Sequence, residues 1–371
     1  MRVGFDLHTI DGKFQGSRTH VIELFSRVAR RCPDIEFYAL LDGVDRLLVD
    51  YPAFDLPNVR RVRLKPSGAI RRLAWELPRL QRRLRLDLLH AQYIIPMPSL
   101  SRTMVTIHDV LFESHPQYFT WPFRLRSRLM MRWAAYRAEH VFTVSEFSRR
   151  EICRRYRLAP ERISVIPNGV DLQRFAPGAA GAELPARRGL EAGGYFLTVG
   201  RLEPRKNHLT LLRAHARLGS GAPPLVIVGQ RDFGYRDLVE ELSRPDVRGR
   251  VRVFEDVTDD ELPALYRHCL GFVYPSFAEG FGMPPLEAMA SGVPVIVADN
   301  TALTEVVGDA GLRVGSTDVP ALEQALRVLW RDQAVRLRLA QAGLRHAQDY
   351  SWDIAAERVA RAYRRFDTAR S

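Results

Sequence analysis

Short apolar or β-branched runs alternate with stretches of helical spacing along the whole chain, and this alternation constrains the fold more than any other feature. In the first half the expected strands are Val3 to Leu7, Ile35 to Leu41, Val59 to Leu64, Leu88 to Gln92, Met104 to His108, Val141 to Val144 and Ser164 to Ile166. In the second half they are Tyr195 to Val199, Leu225 to Val228, Val251 to Phe254, Phe272 to Tyr274 and Val295 to Ala298. Most are continuously apolar, as strands covered on both faces must be, and intervening helices give parallel sheets. The pattern occurs twice. The expected class is therefore α/β, with two doubly wound, Rossmann-like domains, and 371 residues give each a core of its own.

Between the halves, Phe175-Ala-Pro-Gly-Ala-Ala-Gly-Ala-Glu-Leu-Pro185 is poor in large apolar residues and reads as a linker. The expected domains are 1–174 and 175–351. The last stretch, from Trp352, has helical apolar spacing and is one helix more than the second domain needs, so it is free to pack elsewhere. Ligands of doubly wound sheets bind beyond the carboxyl ends of the strands, so two such domains facing each other would form a cleft.

Hydrophobic residues make up 46% and charged residues 26% of the chain, the balance of a soluble globular protein. Met1-Arg-Val-Gly-Phe-Asp6 lacks a signal-peptide pattern, and no stretch approaches the roughly 18 apolar residues of a membrane span, so a cytoplasmic location is expected. Cys32, Cys153 and Cys269 are scattered, with no spacing suited to zinc or a disulfide framework, and read as packing residues. The net charge of +12 is concentrated in the first half: Arg60 to Arg85 holds ten Lys or Arg residues against Glu76 alone. A second basic stretch, Trp121 to Trp133, interleaves arginine with aromatics and methionine. Such patches suit anionic lipid headgroups, and hence peripheral contact with the inner face of the plasma membrane; the plainer reading is solvated arginine-rich helices. No nucleic-acid-binding motif accompanies the charge, so nucleic acid is not expected as a partner.

The chemistry concentrates in Pro275-Ser-Phe-Ala-Glu-Gly-Phe-Gly-Met-Pro-Pro-Leu-Glu-Ala-Met-Ala290. A strand leads into a glycine loop carrying Glu279, then a helix carrying Glu287. Helix N-termini after such loops hold phosphate through free backbone N–H groups, and carboxylates beside them suit hydroxyls. A ligand with both groups, such as a nucleotide sugar, is the first expectation. Arg201 and Lys206 leave the end of the strand Tyr195 to Val199 and approach a helix start, where a guanidinium and an ammonium suit a diphosphate. Either one alone would read as a solvated loop charge.

Three candidates lie in the first half. Gly16 precedes an amphipathic helix, where a glycine backbone can approach phosphate, although a glycine in a turn is otherwise ordinary. His108 and Asp109 end a strand at its ligand side: the imidazole can meet a sugar hydroxyl, and its neighbour can fix the tautomer or bind an acceptor hydroxyl. A strand-end histidine is also often structural. His90 and Gln92, at another strand end, are a weaker pair. No DxD occurs in the chain. Arg201 and Lys206 would then neutralise the diphosphate, so neither a metal nor another cofactor is expected.

Val199-Gly-Arg-Leu-Glu-Pro-Arg-Lys-Asn207, Glu279-Gly-Phe-Gly-Met-Pro-Pro-Leu-Glu287 and Ala290-Ser-Gly-Val-Pro-Val295 together resemble the family-4 retaining glycosyltransferases of the GT-B fold. Phe142-Thr-Val-Ser-Glu-Phe-Ser148 and Val165-Ile-Pro-Asn-Gly-Val-Asp171 extend the resemblance upstream. It implies that Glu287 holds the donor ribose, and that Glu279 with the Gly280-Phe281-Gly282 backbone holds the transferred sugar and phosphates. It also implies that Arg201 and Lys206 hold the diphosphate, that Gly16 approaches it, that His108 contacts the sugar, and that the terminal helix crosses back onto the first domain. One departure is Gly16-Ser-Arg-Thr-His20, where many relatives have paired glycines or a Gly-Arg-Tyr run.

The activity so implied is metal-independent, retaining transfer of a hexose, mannose favoured, from a GDP- or UDP-sugar to a glycan or lipid-linked acceptor. Paired carboxylates could also serve a glycosidase-style double displacement. The resemblance points instead to front-face displacement, in which the departing phosphate helps take the acceptor proton. A sugar-nucleotide epimerase or phosphorylase on the same fold, and a silent nucleotide-sugar-binding module, are the competing readings.

Overall fold

The computed structural model describes residues 1–10, 16–65 and 68–368. It divides into two compact units, Met1–Gly169 with the chain from Trp352, and Val170–Ser351.

In the first unit, seven parallel strands are ordered β3-β2-β1-β4-β5-β6-β7. They are β1 (Arg2–Asp6), β2 (Glu36–Leu41), β3 (Val59–Arg63), β4 (Leu88–Gln92), β5 (Arg102–Thr106), β6 (His140–Thr143) and β7 (Ile163–Val165). The order reverses between β1 and β4, the switch point at which doubly wound sheets bind ligands. Phe5 of β1 pairs with Ala39 and His90 on the neighbouring strands and stacks on Phe25 at 4.2 Å. Phe25 belongs to the helix Gly16–Arg31, which the terminal helix Trp352–Thr368 covers. Tyr363 of that terminal helix reaches His90 Nδ1 through its hydroxyl at 2.6 Å, so the last helix is tied into the first unit's core.

In the second unit, six parallel strands are ordered β10-β9-β8-β11-β12-β13. They are β8 (Phe196–Val199), β9 (Leu225–Val228), β10 (Val251–Phe254), β11 (Gly271–Tyr274), β12 (Val295–Ala298) and β13 (Leu312–Val314). The sequence reading missed β13. It is a short edge strand with Arg313 exposed between apolar neighbours, so it lacks the continuous apolar run that marks the central strands.

The expected linker is a packed part of the second unit. Phe175 is buried edge-on against Tyr266, with ring centroids 5.8 Å apart, and Leu184 is buried in the short helix Glu183–Arg187. Arg267 holds the segment by donating to the carbonyls of Ala176 at 2.7 Å and Ala180 at 2.6 Å. The units divide between Gly169 and Val170, ahead of the expected boundary near Phe175. Val170 N–H donates to the Tyr350 carbonyl at 2.8 Å, fastening the chain to the second unit before Phe175 is reached. The small residues of this segment allow close packing: a Cβ at Gly181 would lie 2.6 Å from Ala264 Cβ.

Candidate functional site

β8 ends in a loop held by glycine. Gly229, after β9, lies so close that a Cβ there would sit 1.9 Å from the Gly200 carbonyl oxygen. The chain then makes a 3-10 turn, Pro204–Lys206, and reverses at Asn207, whose φ of 57° is left-handed. The Asn207 amide pins this geometry by donating to the carbonyls of Pro275 at 2.8 Å and Ser316 at 2.6 Å. The helix His208–Ala216 follows. The turn thus delivers Arg205 and Lys206 to the loop after β11.

Glu279 is the hub of that loop. Its Oε1 lies 2.8 Å from Lys206 Nζ and accepts from Ser276 Oγ at 2.5 Å; its Oε2 lies 3.1 Å from Arg205 Nη1. Lys206 also donates to the Tyr274 hydroxyl at 2.6 Å, and Arg205 to the Ala278 carbonyl at 2.7 Å. Thr301, opening the helix Thr301–Val307, accepts from Glu279 N–H at 3.0 Å. Burial opposes ionisation of Glu279, but Arg205 and Lys206 overcome it and hold the carboxyl down at about 2. Burial and the Arg205 charge lower the Lys206 ammonium against the pull of Glu279.

Glu287 stands in a different environment. The loop enters the helix Met283–Ala290 at Gly282, whose φ is 112° and where a Cβ would lie 2.6 Å from Leu303 Cδ2. On that helix the Glu287 carboxyl accepts from the Tyr266 hydroxyl at 2.9 Å. Burial pushes it up to about 7, because the Tyr266 bond and the Arg174 charge only partly compensate. At neutral pH it is divided between neutral and ionised forms. Arg201 Nε is 2.7 Å from Asp232 Oδ2, an ion pair whose N–H is not aligned for a hydrogen bond.

Of the expected residues, Lys206 and Glu279 are brought into direct contact, whereas Arg201 and Glu287 take separate partners. Arg205 was not singled out in the sequence, although it stands beside Lys206. In an extended loop the two would diverge; the 3-10 turn and Asn207 put both on Glu279. Tyr274, Ser276 and Tyr266 were also missed, because polar residues among apolar ones at strand and helix ends read as core.

In the first unit, His108 lies beyond β5 and is buried, with Nε2 3.2 Å from Gln92 Oε1 and its ring edge-on to His20 at 4.4 Å. Burial, then the neighbouring imidazoles of His20 and His90, hold it well below the usual histidine range, hence neutral. Gln92 therefore orients the ring, while Asp109 Oδ1 accepts from Leu111 N–H at 3.0 Å. His90 is a packing residue, bonded to Thr106 Oγ1 at 2.8 Å and to Tyr363. Gly16 opens its helix, and a Cβ there would meet nothing within 4 Å, so packing makes no demand for glycine. Residues 11–15, just before it, lie outside the described residues. Among the described residues no group of three or more His, Cys, Asp or Glu side chains could hold a metal ion, and no helix is long and apolar enough to cross a membrane.

The likeness expected from the motifs extends over both units. The Glycosyl transferases group 1 profile matches residues 184–346, and the Glycosyltransferase Family 4 profile matches residues 14–174. Over 273 residues the chain is 34% identical to the O-antigen chain mannosyltransferase B of Escherichia coli, covering 71% of each chain. Over 232 residues it is 31% identical to the O-antigen chain mannosyltransferase RfbU of Salmonella typhimurium, covering 62% of each. The crystal structure of Anabaena HepE in complex with UDP-glucose has the same fold, with a TM-score of 0.77 at 21% identity over 98% of this chain and 99% of that one. The sheet-end loop that gathers Lys206 and Glu279 falls inside the group 1 match, and the chain belongs to the family-4 glycosyltransferases, enzymes of the GT-B fold.

Proposed function

We propose that the protein transfers a hexose, mannose favoured, from a GDP- or UDP-sugar to a hydroxyl of a glycan or lipid-linked acceptor, with retention of configuration and without a metal ion. The observation that carries this reading is the buried Lys206–Glu279–Arg205 cluster. Lys206 Nζ has three N–H groups, and two are spent on Glu279 and Tyr274. The third serves a phosphate oxygen, and Arg201 adds a second cation for the charge that builds on the leaving diphosphate.

A double displacement would need a carboxylate free to attack the anomeric carbon. Glu279 is held by Arg205, Lys206 and Ser276 instead, which favours a role in binding sugar hydroxyls. Front-face displacement fits better: the anomeric carbon–phosphate oxygen bond breaks, the acceptor oxygen bonds on the same face, and its proton passes to the departing phosphate. Positioning and charge stabilisation then supply the catalysis. Glu287 takes the ribose hydroxyls, and the Gly280-Phe281-Gly282 backbone meets phosphate. In the first unit, the Gln92 carbonyl takes the Nε2 proton of His108, leaving Nδ1 to accept from a sugar hydroxyl. The assignments of Gly16 to the diphosphate and Asp109 to the acceptor rest on the family resemblance. The proposed location is cytoplasmic, peripheral to the inner face of the plasma membrane.

Lys206→Ala tests the reading. Transfer from GDP-mannose or a UDP-hexose is expected to fall by about a hundredfold or more, in a variant that still folds but melts lower because buried Glu279 loses one of its two cations; near-normal turnover would falsify the diphosphate role. NMR of the product should give the donor's anomeric configuration, and EDTA should leave the rate unchanged. Thermal shifts with UDP, GDP and ADP choose the base.

A further inference from the structure

The helix Trp121–Arg137 is apolar on two opposite faces. Its inner face, including Met131, Ala134 and Ala135, is buried in the first unit's core. Outward, Trp121, Leu125 and Leu129 recur every fourth residue, which places them in one stripe, and they are 67%, 44% and 63% exposed. Polar residues belong at such positions on a solvated helix. A parallel stripe of Arg124, Arg128 and Arg132 runs beside it.

A second helical stretch, Ala69 to Leu84, lies alongside. The steps from β3 to β4 and from β5 to β6 run in the same direction across the sheet, so right-handed crossovers put both connections on one face. Met130 of the 121–137 helix packs against the Leu73, Leu77 and Leu80 cluster, which confirms the neighbourhood. Ile70 and Trp75 project from this second stretch, 82% and 77% exposed. Arg71, Arg79, Arg82 and Arg83 are exposed on it as well.

Both apolar groups lie toward the carboxyl edge of the sheet. Arg72 reaches Asp6, the last residue of β1, at 2.8 Å, and Met97 donates its N–H to the Leu73 carbonyl at 3.0 Å beside them. Phe123 packs on Phe112, just beyond β5, with ring centroids 6.0 Å apart. This is the edge at which doubly wound sheets take their ligands.

We infer that this rim of the first unit docks on an anionic lipid bilayer, with Trp75, Trp121, Leu125 and Leu129 in the interface and the arginines on lipid phosphates. The inference rests on the membrane-proximal reading proposed above and assigns it a surface. Charge selects the occupant. The two helical stretches hold one carboxylate, Glu76, among their many arginines, so a second copy of the chain would set arginine against arginine. Tryptophan and arginine together match the headgroup layer, where an amphipathic ring and a phosphate-binding cation both find partners. A lipid-linked acceptor would then meet the protein at the ligand edge of the sheet.

The test is co-sedimentation of the full chain with vesicles of phosphatidylglycerol in phosphatidylcholine, against phosphatidylcholine alone. Strong, salt-sensitive binding to the anionic vesicles is expected, and equal binding to both would overturn the inference. The combined variant Trp121→Ser, Leu125→Ser, Leu129→Ser should keep its melting temperature and partition roughly tenfold more weakly or worse. Val49→Ser, an exposed change after β2 on the opposite-stepping crossover, should bind as the wild type does. A triple variant that binds fully, or a wild type that ignores phosphatidylglycerol, sinks the idea. So does light scattering showing a dimer that the triple variant dissolves while lipid binding is absent. Transfer to a short water-soluble acceptor keeps the two readings apart. If it persists in the triple variant while vesicle binding is lost, the docking face is supported. If the wild type binds vesicles but transfers nothing, the docking face is still supported and the activity fails.

Discussion

Glu279 and Glu287 are the same residue type on one loop and helix, and their surroundings drive their acidities apart. Two cations reach the first, whereas the second has a phenol and burial. For Glu287 the folded carboxyl, at about 7, binds its proton more tightly than the unfolded one, so this group makes the fold less stable as pH rises toward 7. Nucleotide binding should offset that by rewarding the ionised form, and the donor dissociation constant should fall between roughly pH 6 and 8. Titration calorimetry would check it: a Glu287→Gln variant should bind more weakly and lose the pH dependence, and an unchanged slope would remove Glu287 from the ribose role. Glu279 has the opposite sign, stabilising the fold at neutral pH and losing that contribution as pH falls toward about 2. Asp6 is fully buried between His8 at 2.9 Å and Arg72 at 2.8 Å, which together overcome desolvation and hold it below the usual carboxylate range. Arg72→Ala leaves that carboxylate half-compensated and should cost about 3 kcal/mol in urea unfolding.

At the scale of elements, continuous apolar runs identified the central strands because a strand covered on both faces has nowhere to place polar side chains. That signal fails at the edge, where β13 alternates, and in the segment from Phe175 to Pro185, where one phenylalanine, one leucine and Arg267 do the anchoring. The Met283–Ala290 helix depends on its entry. Gly282→Ala places a methyl group against Leu303 at a backbone angle that alanine avoids. The expected loss is about 1–3 kcal/mol in thermal melts, with weakened nucleotide binding in the same variant. An alanine variant with wild-type stability and affinity would show that the loop tolerates another path.

Across the first unit as a whole, the terminal helix returns to the core laid down by the chain's first strands. Tyr363 and His90 are separated by 273 positions and share a buried hydrogen bond. Tyr363→Phe leaves the imidazole nitrogen without its partner and should lower stability by about 1–3 kcal/mol, read as a lower melting temperature with donor affinity unchanged. The two doubly wound sheets, and the loop and helix that hold Lys206, Glu279 and Glu287, were legible in the chain, because periodicity and glycine-bounded turns are written over a few adjacent residues. Which groups share a proton or a charge was not legible there. Lys206 meets Glu279 across 73 positions, and Tyr266 meets Glu287 across 21. Ionisation follows burial and neighbouring charge, and both are set by distant segments brought together in the fold.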